Sequence, residues 1–102
     1  LVTAYAKVKG EMNQEKLTEI YSDFYKDKPF VRLRNQAPGI KDVRGSHFCD
    51  VFPVWDARTE RVIVISAIDN LLKGAASQAV HNMNLMFGFI ESAGLNQVPL
   101  KP

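Results

Sequence analysis

The chain has 102 residues and a formal net charge of +2; 46% of its residues are hydrophobic and 24% are charged. This length suits one domain, and the composition is that of a globular protein rather than a disordered or membrane protein. Basic and acidic residues are interleaved, so we expect no nucleic-acid partner. The longest apolar stretch, VIVISAI at residues 62–68, is too short to span a bilayer, so we expect no membrane contact.

The cysteine and histidine content narrows the chemistry further. One cysteine, Cys49, excludes a disulfide within the chain and favours a reducing, cytoplasmic setting. The two histidines, His47 and His81, lie far apart and without a thiol pair, so no metal site is expected. Alternation begins at the first residue without an initiator Met, and we interpret the chain as a piece of a longer protein.

The first half of the chain predicts a strand, a helix and a second strand. Residues 2–9 alternate with period two, which predicts a strand that Gly10 ends. Asn13 is then expected to cap a helix over residues 14–27, and Pro29 stops it. FVRL at residues 30–33 predicts a short strand before a polar loop.

The second half predicts a hairpin followed by a long helix. Residues 47–56 and 61–68 read as antiparallel strands joined by a four-residue loop, with Pro53 at an edge or a bulge. Asp69 is expected to cap a helix over roughly residues 70–88. The sum is one α+β domain over residues 1–102, with a mainly antiparallel sheet and two helices.

The predicted second helix has two contrasting sides. Its apolar stripe contains Leu72, Ala75, Ala76, Ala79, Met83 and Phe87. Its other surface is mostly uncharged and polar, and contains Asn70, Lys73, Gly74, Ser77, Gln78, His81 and Asn82. Because uncharged polar groups tolerate an interface better than ionised ones, we expect this polar side to contact another domain.

Gly74 lies near the start of the same helix and leaves space beside the first-turn N–H groups. Such a helix start can hold an anion or a ligand amide. The alternative is that Gly74 and the two alanines after it only let a neighbouring element approach closely.

Three further groups of residues invite a chemical role. Alternation in an extended strand places His47 and Cys49 on one face, where a thiol and an imidazole could meet, but a buried structural cysteine is the more common case. His81 reads as an interface or surface histidine. The loop residues Lys41, Asp42, Arg44 and Ser46 could form an anion pocket with the Gly45 backbone, or simply be solvated.

Three stretches carry a resemblance to a known family. PFVRL, KDVRGSHFCDV and VIVISAIDNLLKGAASQAVHNMNLMFG closely resemble the C-terminal portion of N-acetyl-gamma-glutamyl-phosphate reductases. DNLLKGAA is also similar to a segment of aspartate-semialdehyde dehydrogenase. The resemblance covers nearly the whole chain.

The resemblance implies a two-domain oxidoreductase of arginine biosynthesis. An N-terminal Rossmann domain would bind NADP, and the present α+β portion, shaped like part of the C-terminal domain of glyceraldehyde-3-phosphate dehydrogenase, would supply substrate contacts and oligomer surface. The final helix would pack on the Rossmann domain near the nicotinamide, with Asn70 and Gly74 on the cofactor side. The parent protein would act in the cytoplasm, or in an organelle of a eukaryote.

The family reduces an acyl phosphate to an aldehyde through a thioester on a cysteine, with hydride from NADPH and a histidine as acid and base. Neither the PGCYPT-like cysteine segment nor the histidine motif is present here. The resemblance therefore implies no catalytic residue in this chain, leaves the substrate contacts unassigned, and gives Cys49, His47 and His81 no role in the reaction. The chain alone is expected to be inactive.

A second hypothesis comes from a different class of protein. The chain could instead be a self-standing small α+β module that binds a partner or dimerises through an exposed sheet and the polar side of the helix.

Overall fold

The computed structural model describes residues 1–100 and confirms an α+β fold with a mostly antiparallel sheet and two helices. The strands are β1 (Val2–Lys7), β2 (Val31–Leu33), β3 (Cys49–Asp56) and β4 (Arg61–Ile68), and the helices are α1 (Gln14–Tyr25) and α2 (Ser77–Met86). A 3-10 turn at Ile40–Asp42 precedes β3, and a π-helical turn at Leu72–Ala76 precedes α2.

The four strands form one sheet in the order β1-β4-β3-β2. The β1–β4 and β3–β4 pairs are antiparallel, whereas the short β2 runs parallel to β3. A parallel pair needs a long connection, and residues 34–48 supply it. The predicted hairpin is therefore confirmed, with β4 at its predicted bounds.

Several predicted boundaries are too long, because strand pairing limits each element. β1 ends at Lys7 rather than residue 9, since Lys7 pairs with Arg61, where β4 begins. β3 begins at Cys49 rather than residue 47, since Cys49 pairs with Ile68, where β4 ends. Asn13 caps α1 as expected, with its side chain accepting from the Lys16 N–H at 2.7 Å, but the helix ends at Tyr25.

The predicted single helix over residues 70–88 is wrong in its first turns. Leu72–Ala76 forms a wider π-helical turn, and the regular α2 begins only at Ser77. The far end is closed by Phe87, whose N–H donates to the Met83 carbonyl, and Gly88 follows with a φ of +69°. That left-handed backbone suits glycine and stops the helix.

The two faces of the sheet differ in how well they are covered. Val51, Pro53 and Val62 lie on one face and are buried. Trp55 shares that face and lines a groove with Asn13 and Lys16 at the start of α1. The opposite face carries a contiguous, partly exposed patch, the open sheet face, made of Tyr5, Phe52, Val54, Ile63 and Ile65.

Pro53 lies where its missing N–H does no harm. β2 pairs only with residues 49–51 of β3, so the next part of β3 has no strand on that side. The Gln14 side chain replaces the missing strand, because its amide donates to the Pro53 carbonyl at 3.0 Å and accepts from the Trp55 N–H at 2.8 Å. The predicted edge position of Pro53 is thus correct.

Within residues 1–100, no helix combines the length and the hydropathy needed to cross a membrane.

Replacing Gln14 tests this side-chain substitute for a strand. We expect Gln14→Ala to lower the free energy of unfolding by about 1–2 kcal/mol, because it leaves a carbonyl and an N–H of β3 without partners. Gln14→Glu should not restore this stability, since a carboxylate still accepts from Trp55 but turns an oxygen towards the Pro53 carbonyl, where the amide donated. Urea unfolding of the three proteins measures the order; equal stability of Gln14→Ala and the parent chain would contradict it.

Candidate functional site

Asp69 fixes the start of the helical segment and ties it to the loop before β3. One carboxylate oxygen accepts from the Leu71 and Leu72 N–H groups at 2.8 and 3.1 Å, as a capping residue should. The other accepts from the Gly45 N–H at 2.8 Å. This last bond, followed by those from Leu71 and Leu72, lowers the pKa of Asp69.

Asn70 and Gly74 are both exposed beside this cap. A Cβ added to Gly74 would lie 3.4 Å from Asn70 Oδ1 and 3.5 Å from the Asp69 carbonyl oxygen, which is ordinary contact. The fold itself therefore does not require glycine here. Gly74 is exposed, and the Asn70 side chain, the Asp69 carbonyl and the Ile68 side chain surround the position that its Cβ would take.

A chain of hydrogen bonds runs through the polar side of α2, and we call it the histidine cluster: His47, Ser77, His81, Lys73 and Glu91. His47 Nδ1 lies 2.5 Å from Ser77 Oγ, and His47 Nε2 lies 2.9 Å from His81 Nδ1. His81 Nε2 is 2.9 Å from a Glu91 carboxylate oxygen, and Lys73 Nζ is 3.3 Å from His47 Nε2. The cluster joins α2 to the segment before β3 and to the residues after α2.

Burial controls the charges in and around the cluster. His47 is only 1% exposed, and desolvation, then Lys73 and His81, lowers its pKa to about 4. Desolvation likewise lowers the pKa of Lys73. Burial raises the pKa of the Cys49 thiol despite the opposing charge of Lys73, so the thiolate that a nucleophile needs is disfavoured.

A second tie holds the end of the chain against α2. Asn84 is 2% exposed, and its amide nitrogen lies 3.0 Å from both the Glu91 and the Ala93 carbonyl oxygens. With two bonds from one buried amide, Asn84 sets the path of the chain after α2.

The polar side predicted for this helix is buried in part, because Asn70, Gly74 and Asn82 are exposed whereas other members are not. Ser77, His81 and Asn84 are buried by the chain itself, so the expectation that the polar side is left for another domain is wrong for these residues. His81, expected at an interface or the surface, is 9% exposed. An apolar surface is also exposed along α2 and its flanking residues; we call it the apolar side of α2, and it contains Ala75, Ala76, Ala79, Met83 and Phe87.

His47 does not lie on a strand face beside Cys49, as the alternation predicted. It precedes β3, and its ring contacts α2 instead. The suggested anion pocket is also disfavoured, because the Gly45 N–H donates to Asp69 and the buried Ser46 hydroxyl donates to the Val43 carbonyl.

Sequence reasoning missed a buried ion pair on the other side of the loop. Asp50 is fully buried, and its two oxygens lie 2.6 and 3.0 Å from Arg32 Nε and a terminal guanidinium nitrogen. Arg34 stands 3.6 Å away, and Arg32 also donates to the Asp42 carbonyl at 2.8 Å. No sequence signal pointed to this ion pair, because it depends on the parallel register that pairs Arg32 with Asp50. Only the structure reveals that register.

With this geometry in place, comparison with known proteins identifies the family. Residues 1–70 match the family model described as the semialdehyde dehydrogenase dimerisation domain. The chain belongs to that family. It extends past the matched region through the π-helical turn and α2, which carry Lys73, Ser77 and His81 of the histidine cluster.

Comparison with individual proteins gives a more specific similarity than the family model does. The chain is 51% identical over 104 residues to the N-acetyl-gamma-glutamyl-phosphate reductase of Bacillus mycoides (strain KBAB4), and 51% to that of Geobacter metallireducens. It is 53% identical to the reductase of Pelobacter propionicus. Each match covers 100% of this chain and 30% of the relative, so the chain spans about a third of their length. The resemblance to these reductases seen in the sequence motifs is confirmed.

The cap at Asp69 gives a direct test of the site's scaffold. Asp69→Ala removes an acceptor for three N–H groups, and we expect a loss of about 1–2 kcal/mol of unfolding free energy; Asp69→Asn, which keeps one oxygen, should lose less. Because the pKa of Asp69 is lowered in the fold, its contribution is present above the ordinary value of 3.8 and is lost as the pH falls through the lowered pKa.

Thermal unfolding between pH 2 and 7 measures both effects. Asp27→Asn, an exposed acid after α1, is the matched control and should follow the parent curve. If the unfolding curve of Asp69→Ala also matches that of the parent chain, the capping role of Asp69 is excluded.

Proposed function

We propose that this chain is the subunit-interface portion of an NADP-dependent N-acetyl-gamma-glutamyl-phosphate reductase of arginine biosynthesis. The observation that supports this proposal most strongly is the 51–53% identity to such reductases over the full length of this chain. The reaction would convert an acyl phosphate to a semialdehyde and release phosphate, in a cytoplasmic or organellar protein. The nucleophile and the acid and base would come from residues outside this chain, which alone would be inactive.

The open sheet face is the surface we assign to subunit contact. Its apolar side chains are contiguous across three strands, because Tyr5 pairs with Ile63, and Ile63 pairs with Val54. Tyr5 is 65% exposed although it is large and aromatic. Exposed aromatic residues on an apolar patch are characteristic of interfaces, and the family description names dimerisation.

The apolar side of α2 is the surface we assign to the Rossmann domain of the same protein. Met83 is 42% and Phe87 68% exposed, and Phe89 and Ile90 continue the apolar surface past the helix. Packing of this side on a dinucleotide-binding domain would bring Asn70 and Gly74 towards the cofactor. The exposed amide of Asn70 would offer hydrogen bonds to a nicotinamide, which would supply hydride when bound, and the exposed Gly74 adds no side chain to hinder its approach.

Subunit contact is tested by matched aromatic substitutions. We expect Tyr5→Lys, on the open sheet face, to weaken self-association at least about tenfold, because a charge replaces an apolar contact. Phe24→Lys is the control, since Phe24 is 72% exposed on α1. Sedimentation velocity over a concentration series measures the association constant. A parent chain that stays monomeric, or equal losses in the two variants, would contradict the assigned interface.

The cofactor side is tested at Gly74 in the full-length reductase. Gly74→Ala should fold normally, because its Cβ meets only ordinary contacts, and Gly74→Val adds further bulk. If the nicotinamide approaches here, KM for NADPH should rise about tenfold in the valine variant while stability stays near that of the parent. Ala57→Val in the exposed β3–β4 loop is the control. Unchanged kinetics in Gly74→Val would remove Gly74 from the cofactor site.

A further inference from the structure

We propose that the His47–His81 pair is an acid-sensitive latch, which holds α2 against the segment before β3 and opens when both imidazoles are cations. The proposal concerns the fold of this chain and does not depend on the reductase assignment.

The latch depends on one shared hydrogen. His47 Nε2 and His81 Nδ1 are 2.9 Å apart, and one hydrogen between them makes a good bond. At the far side of His81, Glu91 accepts from Nε2, which keeps a hydrogen on that atom. Any change in the protonation of His81 therefore occurs at Nδ1, the atom that faces His47.

The pair can hold one extra proton but not two. With both rings neutral, His47 Nε2–H donates to His81 Nδ1, and the Lys73 ammonium, which can only donate, has no acceptor at Nε2. With His81 a cation, its Nδ1–H donates instead, and His47 Nε2 accepts from His81 and from Lys73. When both rings are cations, each facing nitrogen carries a hydrogen and neither can accept. At 2.9 Å the two N–H groups repel, so the link must break.

The surroundings make the second cation costly. His47 faces Lys73 of the π-helical turn and Ser77 and His81 of α2, while Glu91 faces His81 from the segment after the helix. The Phe30 ring centroid lies 4.6 Å from that of His47 and 5.3 Å from that of His81, in T-shaped arrangements, and Phe30 carries no charge that could balance an imidazolium. The ammonium of Lys73 lies beside His47, so the charge of Lys73 adds to burial in disfavouring a cation on His47.

The direction of the pH effect follows from the lowered pKa of His47. A histidine whose pKa falls from 6.5 to about 4 on folding stabilises the closed state fully above pH 6.5. As the pH drops below 6.5, the open form takes up the proton first, and the population of the open form rises about tenfold per pH unit until about pH 4. Acid therefore releases α2 from the segment before β3.

The chain contains two histidines, and both belong to the latch, so every imidazole resonance in the NMR spectrum reports on it. We expect ¹⁵N-labelled His47 in the full chain to stay neutral down to about pH 4, with one nitrogen hydrogen-bonded to His81. In parallel, hydrogen exchange, corrected for its intrinsic pH dependence, should show α2 amides opening about tenfold more per pH unit below 6.5. A His47 that titrates near 6.5 with unchanged α2 protection would overturn the proposal.

Two variants separate the latch from general acid unfolding. In His81→Gln the amide oxygen can still accept from His47 when His47 is a cation, so acid opening of α2 should shift or disappear and His47 should titrate nearer 6.5. Lys73→Met should raise the midpoint of His47, because it removes a repelling charge. Lys16→Met, an exposed lysine on α1, is the matched control. Acid opening at the same pH in the parent chain and in His81→Gln would show that other groups open α2.

Discussion

The burial of the polar side of α2 is the constraint on which the arrangement of the chain depends. Ser77, His81 and Asn84 face inward, and each finds a partner: the first two in the histidine cluster, and Asn84 in the carbonyls of Glu91 and Ala93. A buried polar group without a partner costs free energy, so these contacts fix both the rotation of α2 about its axis and the path of the chain after it. With the polar side fixed inward, the apolar side must point outward.

The same helix is anchored at its start by Asp69, which joins two parts of the chain distant in sequence. Its carboxylate accepts from Gly45 in the loop and from Leu71 and Leu72 in the helical segment. On the other side of that loop, Arg32 connects Asp50 to the Asp42 carbonyl. The connection between β2 and β3 is thus held from two directions by charged hydrogen bonds, which are stronger than neutral ones. Its position controls where His47 meets α2.

Local sequence signals predicted the elements well, because they depend on neighbouring residues. The strand alternation, the Asn13 cap and the Asp69 cap all work over a few positions. The orientation of α2 could not be predicted in this way, because an apolar stripe normally faces the core and only the distant His47 shows that the polar side is buried here. The ion pair of Arg32 with Asp50 could not be predicted for the same reason. The two residues are 18 positions apart, and only the parallel register of β2 and β3 brings them together.

Strand β4 connects the open sheet face to the helical segment that carries the apolar side of α2. Ile63 and Ile65 contribute to the open sheet face, and a few residues later the same strand leads through Asp69 into the helical segment. A displacement at the sheet face therefore has a short covalent path to Asn70 and Gly74, with the Asp69 cap between them. β4 is paired on both sides, so it cannot shift without disturbing β1 and β3. In the proposed reductase this central strand would join the surface assigned to a second subunit to the helix start assigned to the cofactor side.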